Sequence, residues 1–87
     1  MKYEITVSKP VDLHANTAPF FDFDRTTSVV EAPQLKAWET ISLVSGANPD
    51  EWDFEGGHSD RQGNATDKSH YHNKREFAYQ IEITVLE

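Results

Sequence analysis

Pro33-Gln34-Leu35-Lys36-Ala37-Trp38-Glu39-Thr40-Ile41-Ser42-Leu43-Val44-Ser45-Gly46 is the stretch on which the fold class turns. At 100° per residue, Leu35, Ala37, Trp38, Ile41 and Val44 fall within one half of a helix. Lys36, Glu39 and Thr40 take the other half, and only Leu43 is out of place. Pro33 suits a first helical position, where its missing N–H costs nothing, and Gly46 suits the stop. The pattern predicts one amphipathic helix over Pro33–Ser45.

Outward from it, the two ends of the chain alternate with period 2. Tyr3, Ile5 and Val7 alternate with Lys2, Glu4 and Thr6, as in a half-buried strand. Phe77, Tyr79, Ile81, Ile83 and Val85 alternate with Ala78, Gln80, Glu82 and Thr84, the strongest local signal in the chain. This C-terminal strand is expected inside the sheet, its apolar face packed on Leu35, Trp38 and Ile41. Pro10 is expected to close the first strand, because proline cannot donate to a ladder. A third strand is placed within Phe20–Glu31, with Arg25-Thr26-Thr27 read as either a bulge or a turn. The fold expected is α+β: a small three- to four-stranded, mainly antiparallel sheet with one helix packed on one face.

Eighty-seven residues make one domain, 1–87, and the absence of cysteine excludes thiol chemistry and fits a reducing compartment. No apolar run of signal-peptide or membrane-spanning length is present, so the cytoplasm is the expected location. From 46 to 75 the chain is a long polar excursion without sustained periodicity. The net charge of −7 is unevenly spread. Asp50, Glu51, Asp53, Glu55 and Asp60 have no base among them, whereas Arg61, Lys68, Lys74 and Arg75 face only Asp67 over residues 61–75. Such a chain repels nucleic acid and is drawn to basic surfaces.

Four groups of residues have chemical potential. In the acidic run, carboxylates interleaved with Trp52 and Phe54 offer a partner both charge and an apolar anchor. The plainer alternative puts both aromatics in the core and the acids in solvent. His58, Asp60, His70 and His72 contain zinc-ligand types, and His70-x-His72 on a strand points both rings one way. No motif enforces a metal site, so no metal and no cofactor are expected. Asp22 and Asp24 around Phe23, with Asp12 and His14 upstream, read as an amphipathic strand more readily than as an acid/base pair. Lys68–Arg75, with His70, Tyr71 and His72 inside it, has a stacking-and-phosphate pattern for single strands. The acidic remainder opposes that use, and the segment is better placed to neutralise residues 50–60. No catalytic motif occurs.

In general plan the chain resembles the small acidic phage-encoded inhibitors of bacterial defence, the anti-CRISPR proteins among them. The features that match are the terminal strands Tyr3–Val7 and Phe77–Val85, the helix Pro33–Ser45 and the loop Asp50–Glu55. The resemblance implies a mode of action: occupying a basic, nucleic-acid-binding surface of a host complex, in the host cytoplasm if the chain is phage-encoded. The reading is therefore a non-enzymatic protein-binding domain whose partner is a protein with a basic surface, without direct nucleic-acid or membrane binding. Asp50, Glu51, Asp53, Glu55 and Asp60 would pair with Lys or Arg, and Trp52 would anchor. One alternative is an assembly subunit self-associating through a sheet edge. The other is a metal-binding protein built on His58, His70 and His72.

Overall fold

The computed structural model describes residues 1–11, 22–59 and 61–86, with every side chain in them except those of Asp22, His58 and Ser59. Five strands form one sheet: β1 (Lys2–Val11), β2 (Asp22–Glu31), β3 (Trp52–Ser59), β4 (Ala65–Asn73) and β5 (Gln80–Val85). Their spatial order is β2-β1-β5-β4-β3, and every pairing is antiparallel. The alternating residues of the chain ends meet at the centre. Tyr3, Ile5 and Val7 of β1 lie opposite Val85, Ile83 and Ile81 of β5. On the other side of β5, Ile83 and Ile81 lie opposite Ser69 and Tyr71 of β4. One face of the sheet thus carries the core of Tyr3, Ile5, Tyr71, Ile81 and Ile83.

The expected α+β class is corrected: the described residues contain no α-helix, and the protein is a mostly β, five-stranded antiparallel sheet. Residues 32–51 cross the covered face as an irregular strap with two short 3-10 turns, Glu39–Leu43 and Pro49–Glu51. The physical reason lies in where the strap's backbone groups go. Leu35 O accepts from Ala65 N–H at 2.9 Å, and Ala37 N–H donates to Gly63 O at 3.0 Å. Those bonds to the start of β4 take the groups that would open a helical ladder. Trp38, at the head of the first 3-10 turn, supplies no side-chain cap, and Thr40, Ile41 and Val44 are β-branched. Ile41 and Thr40 are buried, whereas Trp38 is 65% exposed, so the apolar stripe predicted for a helix does not exist.

The polar excursion is a paired hairpin, β3 against β4. It escapes a hydropathy reading because its inward positions on β4 are Ala65, Ser69, Tyr71 and Asn73, small or polar except for one ring. Gly57 is where the hairpin demands glycine: its φ is +144°, and a Cβ there would stand 2.2 Å from the Lys68 carbonyl oxygen. Three smaller adjustments follow. β1 runs past Pro10 to Val11, but β5 leaves it at Ser8, so Pro10 sits where the strand has a single neighbour. β5 begins at Gln80, and Phe77 lies exposed in the preceding turn. Arg25-Thr26-Thr27 is neither bulge nor turn, since the β1–β2 register is unbroken.

Candidate protein-binding edge

β3 borders the sheet, and the residues that lead into it set its chemistry. Asn48 starts the turn: its side-chain oxygen accepts from Asp50 N–H at 3.2 Å and its carbonyl from Glu51 N–H at 2.9 Å. Lys74 N–H donates to Glu51 O at 2.8 Å, tying the turn to the end of β4. Asp50 and Glu51 are therefore presented from a fixed backbone, and both are exposed. Along β3, Asp53 lies opposite His72 on the uncovered face, while Phe54 lies opposite Tyr71 on the covered one. A bulge at Glu55 then brings a second carboxylate onto His72. Asp53 and Glu55 stand 3.6 and 3.5 Å from the two ring nitrogens of that histidine, and Lys74 lies 3.9 Å from Asp53.

Aromatic side chains lie beside these acids. Trp52 is buried, edge-on to Tyr79 with centroids 4.7 Å apart, so it is a core residue and not an exposed anchor. Exposed aromatics here are Phe54, resting on Tyr71 at 5.5 Å, Trp38 from the strap, and Phe77, whose ring lies 4.7 Å from that of His72. Between Phe54 and Trp38 lies a cleft of about 270 Å³, lined by Trp38, Ile41, Pro49, Asp50, Phe54 and Tyr71 among others. Its floor is held by a buried hydroxyl pair, Thr40 Oγ1 and Tyr71 Oη at 2.8 Å, and Thr40 also donates to Ala37 O at 2.6 Å. Burial pushes the Tyr71 hydroxyl above its ordinary value near 10, partly offset by its side-chain hydrogen bonds with Thr40 and Ser69.

Other parts of the predicted site are not brought together. Asp60, Asp12, His14, Phe20 and Phe21 lie outside the described residues, as do the side chains of His58 and Asp22. His70 and His72 do share the uncovered face, but His70 pairs with Glu82 at 3.4 Å and His72 with the β3 acids. Among the described residues, no three His, Asp or Glu side chains are placed to hold a metal ion. The basic run of residues 68–75 lies against the acids of 50–55 through the hairpin, as the contact between Lys74 and Asp53 illustrates.

No family model, no curated protein and no solved structure matches the chain. The site therefore rests on its own geometry.

Trp38 was hidden from sequence reasoning. Assigning it to a helix's apolar face made it core, and nothing in its neighbours signals that the strap turns it outward. Phe54 carried a clearer signal, alternating with Asp53 and Glu55 at an edge.

Proposed function

We propose that this chain is a small protein-binding domain that engages a basic partner along β3, acting by occupancy and not by catalysis. The observation that supports this is the coincidence at one sheet edge of four exposed carboxylates with two exposed aromatics. Asp50, Glu51, Asp53 and Glu55 attract Lys and Arg, while Phe54 and Trp38 flank a cleft for an apolar side chain. An extended segment laid along the start of β3, before the register break at Phe54/Gly56, would add main-chain hydrogen bonds to both kinds of contact. In the inhibitory form of this reading, the partner's basic surface is one that otherwise holds nucleic acid, and the domain competes for it.

The test uses a synthetic extended peptide alternating Lys with Val and Leu. Amide shifts are expected along Trp52–Ser59, with a change in Trp38 fluorescence and an affinity that falls steeply as salt is raised. D50K/E51K should abolish binding with the circular dichroism unchanged. Undiminished affinity in that variant, or shifts confined to β2, would overturn the reading.

A further inference from the structure

The two borders of the sheet are built differently. β3 is guarded against another strand of its own kind by Asp53 and Glu55, by register breaks at Phe54/Gly56 and Gly57/Ser59, and by the positive φ of Gly57. β2 has neither a register break nor a positive φ, and its charges stand toward its ends, Asp22, Asp24 and Arg25 at one and Glu31 at the other. It runs ten residues without proline, lysine or bulge, and its middle, Thr26-Thr27-Ser28-Val29, is uncharged, β-branched at three of four positions and exposed throughout. Val29 alone is 56% exposed.

The outward hydrogen-bonding groups of β2 follow from one pair. Ala32 N–H donates to Met1 O at 3.0 Å, and the Met1 amino group donates to Ala32 O at 2.9 Å, so Ala32 directs both its groups at β1. In an antiparallel ladder this alternates with every residue, and the β1–β2 register is unbroken. Val30, Ser28, Thr26 and Asp24 therefore also bond to β1. Glu31, Val29, Thr27 and Arg25 direct their N–H and C=O groups away from the sheet.

From these positions we infer that β2 pairs antiparallel with β2 of a second copy of this chain, about a two-fold axis at Ser28. A second copy presents the same alternation of groups, so symmetric pairing must set odd residues against odd ones. With the axis at Ser28, Arg25 meets the copy's Glu31, Thr27 meets its Val29, and both contacts recur by symmetry. Every outward N–H of Arg25, Thr27, Val29 and Glu31 finds a carbonyl, and two opposite-charge pairs close the ends. With the axis one outward residue away, at Thr27, Arg25 would face Val29 and Glu31 would face Phe23. Charge complementarity thus selects both the occupant and the register. All four side chains lie on the uncovered face, so the joined sheet continues without a step. The interface is narrow and the association correspondingly weak.

Sedimentation equilibrium up to about 1 mM chain is expected to give a monomer–dimer equilibrium, consistent with so small an interface. Amide exchange at Arg25, Thr27, Val29 and Glu31 should slow as concentration rises, while Thr26 and Ser28 stay protected throughout. V29P removes an outward N–H and leaves the β1 ladder its bonds, so it should yield a folded monomer. R25E sets two carboxylates against each other and E31R two guanidiniums, and each should weaken the dimer about tenfold; R25E/E31R should restore it. A chain that stays monomeric at about 1 mM overturns the inference, and so does a dimer indifferent to V29P or not rescued by the double reversal. Peptide binding at β3 should be the same in V29P as in the parent, which keeps this result separate from the proposed function.

Discussion

Ile81 and Ile83 are each 1% exposed and stand between β1 and β4, so each packs on two strands at once. Truncating either to Ala should cost about 2–5 kcal/mol in denaturant unfolding, the range for a buried aliphatic whose cavity does not collapse. W38A, at 65% exposure, should stay within about 0.5 kcal/mol of the parent. Had the strap been a helix with Trp38 inward, the two losses would be similar. Tyr71 ties residue chemistry to pH. Its hydroxyl is raised above 10 by burial, so the folded state holds this proton more firmly than the unfolded one. The associated stability is complete below the unfolded value and is lost as pH climbs through the folded one. Melting temperature should thus fall with a steeper slope above pH 10, and Y71F should flatten that slope while costing about 0.5–1.5 kcal/mol for the Thr40 bond.

Among the elements, β1 and β5 were legible because half-buried strands write their burial as a period of 2, and Tyr3, Ile5, Ile81 and Ile83 do so plainly. β4 was not, because Ser69 and Asn73 are buried polar residues and hydropathy does not see them. The strap was misread for a different reason: its spacing fits a helix, but Leu35 and Ala37 bond to residues 63–65, a tertiary choice that local periodicity cannot reveal. At the candidate edge, the acids Asp50, Glu51, Asp53 and Glu55 were visible as a charge run, while the exchange of roles between Trp52 and Trp38 depended on the strap's path. The hairpin β3–β4 depends on Gly57, whose backbone no other residue adopts comfortably. G57A should cost at least about 1–3 kcal/mol from the strained φ alone, and loss of amide protection should centre on β3 and its partner β4. On the same hairpin, His70 and His72 engage carboxylates in pairs. EDTA should leave the melting temperature unchanged, and a drop reversed by zinc would show a ligand set that this geometry lacks.

For the whole molecule, the strand order has a consequence in time. β1–β2 and β3–β4 are hairpins of neighbouring strands, but β5 is inserted between them, and Tyr3 pairs with Val85 across nearly the full chain. An isolated two-stranded hairpin is at best marginal in water, so neither half gains lasting stability until β5 docks. The closing step carries most of the loop entropy and sets a folding time of about milliseconds to seconds. In stopped-flow experiments I83A should slow folding, whereas T27A, on the border strand, should chiefly speed unfolding. On the ribosome the same arrangement delays commitment. A nascent chain that has reached only residue 79 holds two hairpins with no strand to join them, and it should be cut readily by protease. Resistance should appear abruptly once residues 80–85 have cleared the exit tunnel, because no shorter length of chain can join the two hairpins.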